Sequence, residues 1–349
     1  MRKVLPKDRH PNPKLHAPSV GQWERGYALK AISNRLVGYE FIDKFQRELA
    51  KVCGVKHAIA MSSGTAALHI ALLCVGVERD TSVIVPSLTF AATANAVDYC
   101  GALPHFVDCN FLLTGYQVDR YLALHPSHPS RPSAIVAVDL LGERIDTKEL
   151  AKVANSRGLP LIEDAAEAMG NFYGMSGASA AILSFNNNKL VTTGGGGVLL
   201  TDDDDIAEWA LKLSTTARTH HPWLVEHDRV AWNYRMSNIC AAIGLAQLER
   251  LDEMKQAKQA LRERYRQAFM EIDNVEFFGL PWLNCIAVAN RDDVISALQE
   301  DGIAARALFT PLHRLPHFAH MPRSSDEMPL CEATWRSFLC LPSGPNFAI

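Results

Sequence analysis

The sequence has no long basic run, no apolar stretch of membrane-spanning length, no CxxC pair and no internal repeat. Each absence removes a class. A net charge of −3 without a basic tract argues against a general nucleic-acid binder, which needs clustered Lys and Arg to neutralise phosphates. No apolar run approaches the roughly 18 residues of a bilayer span. The opening, MRKVLPKDRHPNPK, is basic but leads into prolines rather than an apolar core, so it does not read as a secretory signal. The eight cysteines are scattered, as expected of free thiols in a reducing cytoplasm. Biased composition is confined to Asp202–Asp205, which reads as a solvated turn and helix start. No metal is expected, because nothing nearby supplies that run with a second set of ligands. Pro316 likewise interrupts any helix that would bring His313, His317 and His320 together.

What is present is the balance of a globular chain: 349 residues, 48% hydrophobic and 21% charged. The strand-like runs are AIAM with Met61, SVIVPS (82–87), LPHFVD (103–108), SAIVAVDL (133–140) and LPLIED (159–164). They alternate with the helical patterns GTAALHIALLCVG, ATANAVDYCG, VDRYLALH and DTKELAKVANSRG. The last has Asp146 or Thr147 as N-cap and Gly158 as stop signal. This alternation predicts an α/β fold with a mostly parallel sheet, helices on both faces, and ligands at the carboxyl ends of the strands. From MSNICAAIG to RYRQAF runs a long helical stretch with Leu251, Met254, Leu261, Tyr265 and Phe269 on one face. It reads as a connector to a smaller domain containing WLNCIAV, RDDVISALQEDG and IAARAL. The expected division is 1–235 for a large domain with an N-terminal arm, and 236–349 for the connecting helix and a smaller C-terminal α+β domain.

Four stretches carry chemistry. SFNNNKLVTTGGGG (184–197) sets Lys189 between asparagines and glycines, on a loop between the strand-like runs AAILSF and GVLLT. SSGTAAL (62–68) follows a strand and opens a helix, so it is either an ordinary N-cap or an anion cradle that Gly64 lets a ligand approach. IEDAAEA (162–168) places Asp164 and Glu167 after a strand, either as favourable acids at a helix start or as carboxylates facing a ligand. Phe90, in SLTFAATANAV, is either a core aromatic or a flat face for a heteroaromatic ring. Together, a phosphate cradle, a stacking ring, an acid for a pyridinium nitrogen and a lysine on a glycine-rich loop suit pyridoxal 5′-phosphate. The lysine would be held as a Schiff base.

These motifs, with GYEFIDKFQRELAKVCGVKHAIAM, PHFVDCN, WNYRMSNICAAIGLAQLERLDE and the late PLH and LPSG, resemble the DegT/DnrJ/EryC1/StrS aminotransferases. That family has the aspartate-aminotransferase fold (fold type I) and aminates nucleotide-linked keto-sugars. The resemblance implies Lys189 as Schiff-base lysine and proton shuttle, Asp164 as partner of the pyridine nitrogen, and Phe90 as the stacking ring. It also implies Gly64, Thr65 and Ser184 at the phosphate, and Glu167 near the ring oxygen, where many members have Gln. Asn233 in WNYR would reach the phosphate of a neighbouring subunit, hence a homodimer with shared active sites. Arg235 and His313 are expected near the substrate. EDAAEAMG, FNNNK and TTGGGG point within the family toward enzymes that aminate C4 of UDP- or GDP-linked 2-acetamido-4-keto-6-deoxy sugars, as in bacillosamine and legionaminic acid pathways. Glutamate is the implied amino donor. The stretch between Met169 and Ser184 is short for the family, so a loop near the cofactor is expected to be trimmed. Two rivals are a deoxysugar dehydratase, whose relatives commonly replace the lysine with histidine, and a non-catalytic cofactor-binding regulator.

Overall fold

The computed structural model describes residues 15–33, 38–125, 132–219, 221–270, 275–279 and 282–344; the basic opening, 1–14, lies outside them. After helices α1 (Gln22–Ser33) and α2 (Glu40–Cys53), strands and helices alternate. They run β1 (His57–Met61), α3 (Gly64–Cys74), β2 (Ser82–Pro86), α4 (Ala92–Tyr99), β3 (Leu103–Val107), α5 (Gly115–Leu124), β4 (Pro132–Val138), α6 (Thr147–Ser156), β5 (Leu161–Asp164), β6 (Ala180–Ser184), β7 (Gly197–Thr201) and α7 (Asp204–Ser214). The seven strands form one sheet in the order β1-β7-β6-β5-β4-β2-β3. β3, β2, β4, β5 and β6 pair in parallel, whereas β7 runs antiparallel to both β6 and β1. The expected mostly parallel sheet is therefore present.

Side chains alternate across it with the period of two that a strand imposes. Ala60, Ile84, Ile135, Ala137, Leu183 and Val198 face a core shared with α2, α5, α6 and the helix α8 described below. Ile59, Val83, Val85, Val136, Ile182 and Leu199 face the opposite core with α3, α4 and α7. Helices cover both faces, which is why the strands read as nearly continuous apolar runs. The caps fall where the sequence places them. Asp146 accepts from the Glu149 amide at 3.0 Å, Gly158 sits at φ +65°, and Asp203 accepts from the Asp205 and Ile206 amides.

The expected long helical stretch is two helices, α8 (Asn238–Glu249) and α9 (Leu251–Phe269). Arg250 leaves helical geometry between them, and its guanidinium pairs with Glu24 at 2.9 Å and with Glu253 at 3.1 Å. That tie pulls the N-terminal arm onto the junction. Gly244 lets α8 close on α2: a Cβ there would lie 2.6 Å from the Phe45 ring. Beyond α9, strands β8 (Glu276–Phe278), β9 (Asn284–Ala287), β10 (Arg306–Ala307) and β11 (Phe338–Leu341) form a second sheet in the order β10-β11-β9-β8, with α10 (Arg291–Glu300) and α11 (Pro329–Ser337). Its own core gathers Leu261, Tyr265, Ile286, Leu298 and Leu339. We propose the domain division 1–235 and 236–349 on this basis, with α8 a connector that packs back on the first part.

Candidate active site

A cavity of about 680 Å³ opens where the carboxyl ends of β4, β5 and β6 meet the start of α3. That is the place a parallel sheet offers to ligands. Gly64, Thr65, Phe90, Asp164, Glu167, Ser184 and Lys189 all line it, although they span more than a hundred residues of chain.

Lys189 lies in the loop joining β6 to the antiparallel β7. The loop is closed by hydrogen bonds from the Phe185 amide to Gly196 O and from the Thr193 amide to Phe185 O, at 2.9 and 3.0 Å. Gly194, at φ +80°, makes the turn. Gly197 permits a close approach: a Cβ on it would lie 2.4 Å from the Ser63 backbone, at the N-cap of α3. The glycine run thus seats the start of α3 against the lysine loop. The Lys189 side chain is 11% exposed, with Nζ 3.2 Å from Glu167 Oε1 and 3.8 Å from the Trp282 ring centre.

Glu167 accepts a second hydrogen bond from the Leu141 amide at 2.8 Å. Leu141 is buried in the left-handed region, φ +56°, where a non-glycine residue costs about 1–3 kcal/mol. The strained backbone aims an N–H at the carboxylate that holds the lysine. Asp164, at the end of β5, accepts from Thr93 Oγ1 at 2.9 Å and from the Ala166 amide at 3.2 Å. Burial raises its carboxyl from the ordinary 3.8 to about 6, against those hydrogen bonds. Among the described residues no Lys, Arg or His forms an ion pair with it.

α3 is N-capped by Ser63, whose Oγ accepts from the Ala66 amide. Gly64 sits against Ser184, whose Oγ would lie 3.3 Å from a Cβ at that position. This helix start, bare of side chain at Gly64 and beside a hydroxyl, fits a phosphate. Phe90 is 58% exposed at the cavity wall, so it is not a core aromatic; its edge meets Phe309 at 5.4 Å. A buried carboxylate with no ion pair among the described residues, a helix start, an open aromatic face and a lysine in one cavity fit pyridoxal 5′-phosphate.

Three expected residues lie elsewhere. Asn233 is exposed, bridged to Thr215, and does not line this chain's cavity. Arg235 stacks over the Tyr39 ring at 3.6 Å. His313 is buried between Ser87 Oγ (2.7 Å) and Glu332 (3.1 Å), and burial lowers its imidazole below the ordinary 6.5. The short stretch 170–179 does not border the cavity either. It packs at the end of α2, where the Gly174 amide meets Cys53 O at 2.8 Å and Arg144 holds the Tyr173 carbonyl. Trp282, Arg306 and Phe309 do line the cavity and were not singled out from sequence. They come from the C-terminal part, in strand-like runs whose letters read as ordinary core.

Residues 26–348 match the model of the DegT/DnrJ/EryC1/StrS aminotransferase family. A GDP-perosamine synthase of Caulobacter vibrioides is 37% identical over 95% of this chain and 93% of its own. Among solved structures, a DegT DnrJ EryC1 StrS aminotransferase from Brucella abortus superposes with a TM-score of 0.86 at 27% identity, covering 93% of this chain and 91% of its own. DesI in the presence of its TDP-sugar product gives 0.85 at 26%, over 97% and 89%. The chain belongs to the DegT/DnrJ/EryC1/StrS aminotransferase family, and it is a pyridoxal-phosphate-dependent aminotransferase of fold type I.

Proposed function

We propose that this enzyme transfers an amino group to C4 of a UDP- or GDP-linked 4-keto-6-deoxy sugar, with glutamate as donor, as a cytoplasmic homodimer with shared active sites. The observation that carries the cofactor half of this reading is Asp164, a buried carboxylate raised by burial that forms no ion pair among the described residues, with only the positive charge of Lys189 acting on it from farther off. A protonated ring nitrogen is the partner such a group lacks. The sugar half is supported by the GDP-perosamine synthases of C. vibrioides and Vibrio cholerae, 37% and 33% identical. It is broadened by a relative named dTDP-3-amino-3,4,6-trideoxy-alpha-D-glucose transaminase, whose name places the amine at another carbon. Neither supports the bacillosamine or legionaminic assignment over other 6-deoxy sugars.

Bound pyridoxal phosphate supplies an aldehyde that captures amines and a ring that draws electrons from the attached carbon. The chain supplies placement and protons. Gly64 and Thr65 at the start of α3, with Ser184, hold the phosphate. Phe90 would stack on the ring, and Asp164 would favour a proton on its nitrogen. The Lys189 amine, confined between Glu167 and Trp282, would anchor the cofactor and, once freed by the donor, take the proton from the donor's α-carbon. Arg306, for which no acid partner occurs among the described residues, lines the same cavity and suits an anionic substrate group. Asn233, exposed on this chain, faces outward as a residue serving a second copy would.

The test is a donor-coupled screen of UDP-, GDP- and dTDP-linked 4-keto sugars with products identified by mass. An amino-sugar nucleotide from wild type and none from Lys189→Ala is the expected result. Sustained turnover by Lys189→Ala, or a deoxygenated product in place of an amine, rejects the reading.

A further inference from the structure

Lys258 lies on α9 outside the cavity lining, yet it is 2% exposed. Among the described residues no acid pairs with it. Its Nζ instead meets three acceptors: the Trp282 carbonyl at 2.6 Å, the Ser343 carbonyl, and His16 Nδ1 at 2.9 Å. An ammonium has three protons, and here each has a destination.

His16 belongs to the N-terminal arm and is 8% exposed. Burial holds its imidazole near 3, so the ring is neutral and carries a single N–H. Its Nδ1 also lies 3.1 Å from the Ser343 carbonyl, and the ring faces the Lys189 backbone. Lys258, His16 and the carbonyls of Ser343 and Trp282 thus form one buried polar cluster behind the lysine loop. Burial pulls the Lys258 ammonium down from its ordinary range, and the three acceptors oppose that pull.

Two routes therefore run from one buried amine to the same residue. Through His16 it reaches the Lys189 backbone. Through the Trp282 carbonyl it reaches the residue whose ring lies 3.8 Å from Lys189 Nζ and whose Nε1 donates to Asn188 O at 2.7 Å. The arm is pinned at the same place, with the Ser343 amide donating to Leu15 O at 2.7 Å. The lysine loop gains one more support from Gln247, which accepts from the Thr192 amide and donates to Ser19 O.

We propose that Lys258 and His16 are positioning residues that hold Lys189 at its working place, so that the N-terminal arm is part of the catalytic apparatus. The inference rests on Lys189 as the cofactor lysine. Apo protein is mixed with pyridoxal phosphate, quenched with borohydride at intervals, and the Lys189 peptide is quantified by mass spectrometry. His16→Leu and Lys258→Met are expected to slow adduct formation about 10-fold and to lower kcat similarly, with KM for glutamate within about twofold. His16→Gln keeps a polar group that can accept from Lys258 and donate to a backbone carbonyl, and is expected to restore most of the rate. His16→Leu trapping at the wild-type rate, with native circular dichroism, overturns the proposal. So does failure of His16→Gln to recover while its fold is intact. If Lys258→Met does not fold, the two His16 variants still decide. A wild-type protein that forms no adduct at Lys189 rejects the functional assignment itself, and this inference with it.

Discussion

Glu163 and Asp164 are neighbours in sequence, both fully or almost fully buried, and they have opposite fates. β5 points them to opposite faces. Glu163 is met by the Arg144 guanidinium at 2.6 Å and by Thr147 Oγ1 at 3.1 Å. Beside it, Asp139 is raised well above the ordinary carboxyl range by burial and by Glu163, and takes the Ile145 amide at 3.0 Å. That cluster carries its own cation: two acids share one guanidinium and local amides, with Asp139 Oδ2 3.7 Å from Arg144 Nε and outside hydrogen-bond reach. Asp164 has hydrogen-bond donors but no ion pair among the described residues. A buried acid that the protein satisfies is architecture, whereas one left short of a counter-charge marks the place of a ligand.

The sharpest way to break this comparison is to remove the charge of the one acid and the partner of the other. Asp164→Asn is expected to lower transamination by at least about 10²-fold, since a preorganised electrostatic contact is lost where charge develops. Steady-state kinetics with saturating cofactor checks it. Arg144→Met leaves two acids facing each other, and is expected to cost about 3–5 kcal/mol in urea unfolding. Its residual activity per folded molecule should stay near wild type.

A third test reads Asp164 through pH. Its carboxyl titrates near 6 when folded and near the ordinary 3.8 when unfolded. The folded apo-protein therefore holds more protons between those values, and this group makes stability fall as pH rises from about 4 to about 6. The sum is on the order of 3 kcal/mol. Asp164→Asn should remove that slope, so the apo variant is no less stable than wild type at pH 7.5 despite being inactive. Urea midpoints at pH 5 and 7.5 measure it; an equal slope in both proteins contradicts the unpaired carboxylate. The smallest effect is expected from Gly197→Ala, whose methyl would press on Ser63 at 2.4 Å. About 1–3 kcal/mol of stability should go, together with cofactor affinity, as α3 is pushed from the lysine loop.

Much of this was legible because it is local. The alternation of strand and helix runs, the Asp146 cap and the Gly158 stop follow from side-chain period and backbone preference, which neighbouring residues decide. Asp164 and the α3 start could be placed because strand ends in such a sheet lie on one edge, whereas Ser184 was placed by the family resemblance alone. The break at Arg250 was not legible: the Glu24 carboxylate that its guanidinium meets is 226 residues away. Nor was the part of Trp282, read as the start of a strand, or that of His16, in an arm that looked merely basic and proline-broken.

The sequence by itself determined the fold class, the loop that bears Lys189 and the acids at the end of β5, since hydrophobic period and glycine placement suffice for these. Only the tertiary structure decided which acid was left without an ion pair among the described residues and which distant groups, Trp282 among them, close around the lysine. Those outcomes depend on what lies across a core from each side chain, and no run of adjacent residues contains that.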